Sequence, residues 1–93
     1  MSEAPGRPGM SRDAVLLAGM QHAAGVIAAR RRGDLDGATA LLRAFTDDAD
    51  CAHAFLLLTE LALTIVAEET GQDLQTVVRE VSLRIAALAA AVD

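Results

Sequence analysis

Asp73-Leu74-Gln75-Thr76-Val77-Val78-Arg79-Glu80-Val81-Ser82-Leu83-Arg84-Ile85-Ala86-Ala87-Leu88-Ala89-Ala90-Ala91-Val92 is the stretch that decides the fold. Its apolar positions Leu74, Val78, Val81, Ile85, Leu88 and Val92 advance by alternating steps of four and three, the a/d seam of a helix that meets another helix. Asp73 sits where an N-cap carboxylate would accept from the first free backbone N–H groups. Glu80 and Arg84 form an i,i+4 pair in the favourable order, which marks an outer, wetted face. From Ile85 to Val92 the polar side chains stop altogether. A helix with that ending is expected to lie against another helix.

Three further helices follow from the same reading, taken backwards along the chain. Residues Asp48 to Thr70 are apolar almost all round, with Asp50, His53, Glu60 and Thr64 confined to one narrow arc, and Gly71 ends the run. Thr46, Asp47, Asp48 and Asp50 supply capping oxygens and negative charge at its start. Leu35, Ala38, Leu42 and Phe45 mark one face of a short second helix after the corner Gly33-Asp34. The first helix is expected over about Arg12 to Arg32, capped by Ser11 and closed by Arg30, Arg31 and Arg32 against the negative dipole end. Its expected packing stripe is Leu16, Met20, Ala23 and Ile27, with Gln21, His22, Gly25 and Arg32 on the opposite arc. Arg32-Gly33-Asp34-Leu35 resembles Thr70-Gly71-Gln72-Asp73-Leu74, so the corner that joins the first two helices is repeated between the last two. No period-two alternation occurs. The expected fold is all-α: a small four-helix domain of two helical hairpins over residues 11–93, dimerising, with residues 1–10 as a flexible tail rich in Pro and Gly.

Composition narrows the function classes. The 93 residues are 53% hydrophobic but only 2% aromatic, with two Phe and neither Trp nor Tyr, so a base-stacking platform or an aromatic cage has almost nothing to be built from. A formal net charge of −5 disfavours polyanions and acidic membrane surfaces. The single Cys51 forms no internal disulfide, and the Pro- and Gly-interrupted start lacks a signal-peptide pattern, so the cytoplasm is the expected compartment. The most apolar window, Cys51 to Ala67, carries His53 and Glu60 and is read as a buried helix rather than a membrane span.

Several constellations carry a chemical alternative. Ala67-Glu68-Glu69-Thr70-Gly71, followed by Asp73 and Val77, has the spacing of a DNA-reading helix-turn-helix, which would present Gln72, Gln75, Thr76, Arg79 and Ser82 to a groove. Glu68, Glu69, Asp73 and Glu80 outnumber Arg79 and Arg84 there, so the charge opposes phosphate contact. Arg30 to Arg32 is read as a solvated helix end, and Cys51 as a small core residue on a seam with Phe55, Leu58, Ala62 and Ile65. Asp47, Asp50 and His53 lack the His and Cys spacing of a zinc site. His53 and Glu60, about 10 Å apart along the axis, are too distant for direct acid–base contact but could both touch a small ligand. No catalytic, cofactor or metal residue is assigned. The expectation is a non-enzymatic interaction module working as a homodimer with a further protein partner, without cofactor, nucleic acid or membrane. The alternative is a dimeric helix-turn-helix transcriptional regulator reading DNA with its fourth helix.

Overall fold

A computed structural model describes residues 11–92, and it contains four helices and, among those residues, no strand: α1 (Arg12–Arg31), α2 (Leu35–Arg43), α3 (Asp48–Thr70) and α4 (Leu74–Ala91). The tail expected over residues 1–10 lies outside the described residues. Each helix begins on a side-chain oxygen that satisfies a backbone N–H of the first turn. Ser11 accepts from Ala14, Asp34 from Gly37, Asp47 from Asp50 and Asp73 from Thr76, at 2.8–3.1 Å. The hydrogen bonds from Thr76 hold the Asp73 carboxyl below its ordinary value of 3.8.

The two corners that resemble each other in sequence share one geometry. Gly33 and Gly71 take positive φ, 85° and 71°, where a side chain would be strained. The residue after each glycine closes back over the helix end: Asp34 N–H donates to Ala29 O at 2.9 Å, and Gln72 N–H to Ala67 O at 3.1 Å, the bond of a Schellman cap. Ala29 and Ala67, which stand at the equivalent place in the two helices, are both buried, as are Ala38 and Val77 one turn into the helices that follow.

The chain divides into two units, with the boundary falling inside α3 between Leu58 and Thr59. In the first unit α1 and α2 pack closely, around Val26, Ala29 and Ala38 with Leu41 and Phe55 laid against them. The packed face of α1 agrees with the expected stripe at Ala23, with Leu16 and Met20 half-buried, and departs from it at Ile27. Ala23, Val26 and Ala29 are buried and His22 and Gly25 are half-buried, whereas Ile27 is exposed. Small residues fill the contact: Ala23 and Ala29 are fully buried, and a Cβ on Gly19 would meet the Ala54 Cβ of α3 at 3.5 Å, an ordinary contact distance. α2 ends at Arg43, and Phe45, expected on its face, lies in the connection to α3.

In the second unit α3 and α4 show no comparable packing beyond their corner. Ala67 and Val77 are its only buried residues among those described. The expected Cys51 seam of α3 also differs: Cys51, Phe55 and Leu58 are half-buried, while Ala62 and Ile65 are exposed.

Candidate functional site

Two features stand out, one in each unit. The first is an open concavity of about 330 Å³ between the first half of α1, the α2–α3 connection and the start of α3. Leu16, Phe45 and Leu57 give it an apolar wall, and Thr46, Asp50 and His53 stand along it. His22 also lines it and is already engaged. Its Nε2–H donates to the Leu41 carbonyl at 2.6 Å, which fixes the proton on that nitrogen, and its ring meets Phe45 edge-on with centroids 4.8 Å apart. Phe45 leans in turn on Phe55 at 6.2 Å. The two histidines and Asp50 thus share one concavity, which Glu60 does not line. Among the described residues no group of three His, Cys, Asp or Glu side chains is placed to hold a metal ion. Cys51 lies in a separate shallow hollow with Leu42, Arg43, Phe45 and Asp47.

The second feature is the apolar face of α4. Leu74, Val78 and Val81 are 38–40% exposed, and Ile85, Leu88 and Val92 are 60–74% exposed. Val77, the residue that α4 buries, lies about 60° round the helix from the centre of that seam at 100° per residue. α4 therefore turns its best apolar stripe aside from the contact that holds its own corner. Leu61, Ile65 and Val66 of α3 add exposed apolar surface within the same unit. Patches of this continuity mark interaction surfaces in water-soluble chains.

The remaining candidates lie at helix ends and corners. Arg30 and Arg31 close the last turn of α1 and Arg32 is its C-cap, exposed and 3.6 Å from the Asp34 carboxylate. The helix-turn-helix spacing at Ala67–Gly71 is the Schellman corner described above, and Gln75, Arg79 and Ser82 of α4 are exposed. α3 is the one helix among the described residues long and apolar enough to cross a membrane by length and composition, with a mean hydropathy of 1.6 over its most apolar window. Sequence reasoning found the α4 seam but missed the role of His22, because its partner is a backbone carbonyl that no side-chain pattern displays. No family model, curated protein or solved structure matches the chain.

Proposed function

We propose that this chain is a small cytoplasmic protein-interaction module, an adaptor, regulator or accessory subunit that works as a homodimer of two-hairpin protomers and is not an enzyme. The observation that carries the reading is the a/d seam of α4, continued by Val92 just past its end, whose six large apolar side chains stand 38–74% exposed. Full burial of such a side chain stabilises by about 1.5–3 kcal/mol. Covering the exposed half of six of them on two protomers therefore contributes on the order of 12 kcal/mol, against an association cost of roughly 4–15 kcal/mol. The seam supports dimerisation, with Leu61, Ile65 and Val66 of α3 available to extend the contact. The free, half-buried Cys51 accords with a reducing compartment.

The test is light scattering coupled to size exclusion on the wild type and on Ile85→Glu and Leu88→Glu. The wild type should have the mass of a dimer and each glutamate variant that of a monomer with its helical signal retained, since a lone carboxylate on the seam is costly only where the seam is covered. A monomeric wild type at tens of micromolar, or variants that stay dimeric, would refute the reading. Tight duplex-DNA binding that collapses with salt would replace it with the helix-turn-helix regulator.

A further inference from the structure

We infer that α4 pairs with α4 of a second copy of this chain as a short parallel two-stranded coiled coil; the inference rests on the homodimer reading above and specifies its orientation. The four–three stepping fixes the heptad register. Val78 and Ile85 fall at position a, and Leu74, Val81 and Leu88 at position d, while Val92 continues the stepping just past the end of the helix. β-branched residues at every a position, with Leu at two of the three d positions, is the pattern that favours two parallel strands.

The flanking positions separate the two orientations. In a parallel pair Arg84, at position g, lies beside Ala89 of the second copy, at position e, and no like charges meet. In the antiparallel pair that overlaps the full seam, Val81 packs on Ile85 and Val78 on Leu88 of the other copy. That register centres on Leu83 and sets the two Arg84 side chains opposite each other, a like-charge contact beside the apolar core.

Exposure along the seam points the same way. It rises from 38–40% at Leu74, Val78 and Val81 to 60–74% at Ile85, Leu88 and Val92. A parallel pair matches the open end with the open end, and the partly covered turn near Gly71 with its own counterpart. An antiparallel pair would set Leu88, 68% exposed, against Val78, 38% exposed and partly covered in its own unit. The contact is of the small class: α4 is 18 residues, about 27 Å long, and contributes five seam side chains from each copy, with Val92 just past its last turn.

Disulfide trapping in a glutathione redox buffer tests the orientation on the full chain, with Cys51→Ser removing the native thiol. Leu88→Cys should form a homodisulfide in most of the protein. An equimolar mixture of Val78→Cys and Leu88→Cys should give the two homodisulfides with little heterodisulfide. A predominant Val78–Leu88 heterodisulfide would overturn the parallel orientation and leave the dimer intact. A monomer by light scattering, with no crosslink in either experiment, would overturn both. Nitroxide labels at Leu83→Cys and Ala90→Cys, both outside the seam, give an answer that does not depend on a seam substitution. Equal separations between copies at the two sites support parallel pairing, and a separation about 10 Å longer at position 90 refutes it.

Discussion

Replacing His22 tests whether the first unit is held by the clasp its geometry describes. The ring makes two contacts: an N–H bond of 2.6 Å to the Leu41 carbonyl and an edge-on contact with Phe45 at 4.8 Å and 81°. The hydrogen bond contributes about 1 kcal/mol net. It does not rise above that, because Leu41 O still accepts from the Ala44 N–H at 3.2 Å and is not orphaned when the histidine goes. The ring pair contributes about 0.5–1.5 kcal/mol. Alanine's better helix propensity returns about 0.5 kcal/mol. His22→Ala should therefore lower stability by about 1.5 kcal/mol, equivalent to a fall in Tm of roughly 6–12 °C for a chain of this size. His22→Phe, which keeps a ring but loses the donor, should cost about 1 kcal/mol. Urea unfolding followed by circular dichroism at one fixed protein concentration measures both, and a cycle with Phe45→Leu should return a coupling of about 1 kcal/mol between the two rings. A His22→Ala variant within about 0.5 kcal/mol of wild type, or a coupling of zero, would refute the clasp.

Gly19→Ala and Gly25→Ala should each stabilise by about 1 kcal/mol in the same unfolding assay, since both lie inside α1 and an added Cβ meets only ordinary contacts with Ala54 and Leu41; destabilisation at either would refute that spacing and show a closer approach of the helices. Gly33→Ala should instead destabilise by about 1 kcal/mol, because the residue sits at a φ of 85°. The Asp73 carboxyl is held below 3.8 by the Thr76 N–H and hydroxyl, so its contribution to α4 is complete above 3.8 and is lost as the pH falls through the lower folded value. Asp73→Asn, which keeps a capping oxygen, should remove that part of the acid loss of helicity; identical acid titrations by circular dichroism would refute the cap's share. Cys51, half-buried in the hollow beside Phe45, should label severalfold more slowly in the native protein than in denaturant, and equal rates would place it in open solvent.

The boundaries of the helices were legible because they are written in local chemistry. Ser11, Asp47 and Asp73 are caps that need no tertiary context, and Gly33 and Gly71 end helices through a backbone conformation open to few other residues. The packing face of α1 was legible only in part. The expected stripe of Leu16, Met20, Ala23 and Ile27 includes the fully buried Ala23 and the half-buried Leu16 and Met20, but a periodicity argument that ranks residues by apolar size takes in the exposed Ile27 and passes over Val26 and Ala29, which the helix contact buries by fit. His22 falls on the arc that size-ranking assigns to water, yet it makes the most specific polar contact in the first unit. The period of the α4 seam is fully legible, but a period says only that a helix has a partner and leaves that partner's identity open.

A comparison of the two corners explains why that seam is left open. They repeat with an offset of 38 residues before the glycine and 39 after it, Gln72 being the extra residue, so that Ala38 corresponds to Val77, Leu41 to Glu80 and Phe45 to Arg84. In the first unit Leu41 and Phe45 are the residues through which the chain after the corner clasps α1, by way of the His22 ring. In the second, the same positions carry an i,i+4 ion-pair motif suited to water. The corner is kept and the clasp is not. The apolar residues of α4 instead gather at heptad spacing about 60° from the buried Val77, on a face its own hairpin covers only in part. An α4 serving only to close a second hairpin over α3 would be expected to carry apolar groups at positions 80 and 84, as α2 and its connection do at 41 and 45. Placing Glu and Arg there while concentrating Ile85 and Leu88 on another face accords with the proposed pairing of α4 with a second chain, and it is this division of faces that makes α4 the part of the molecule to perturb first.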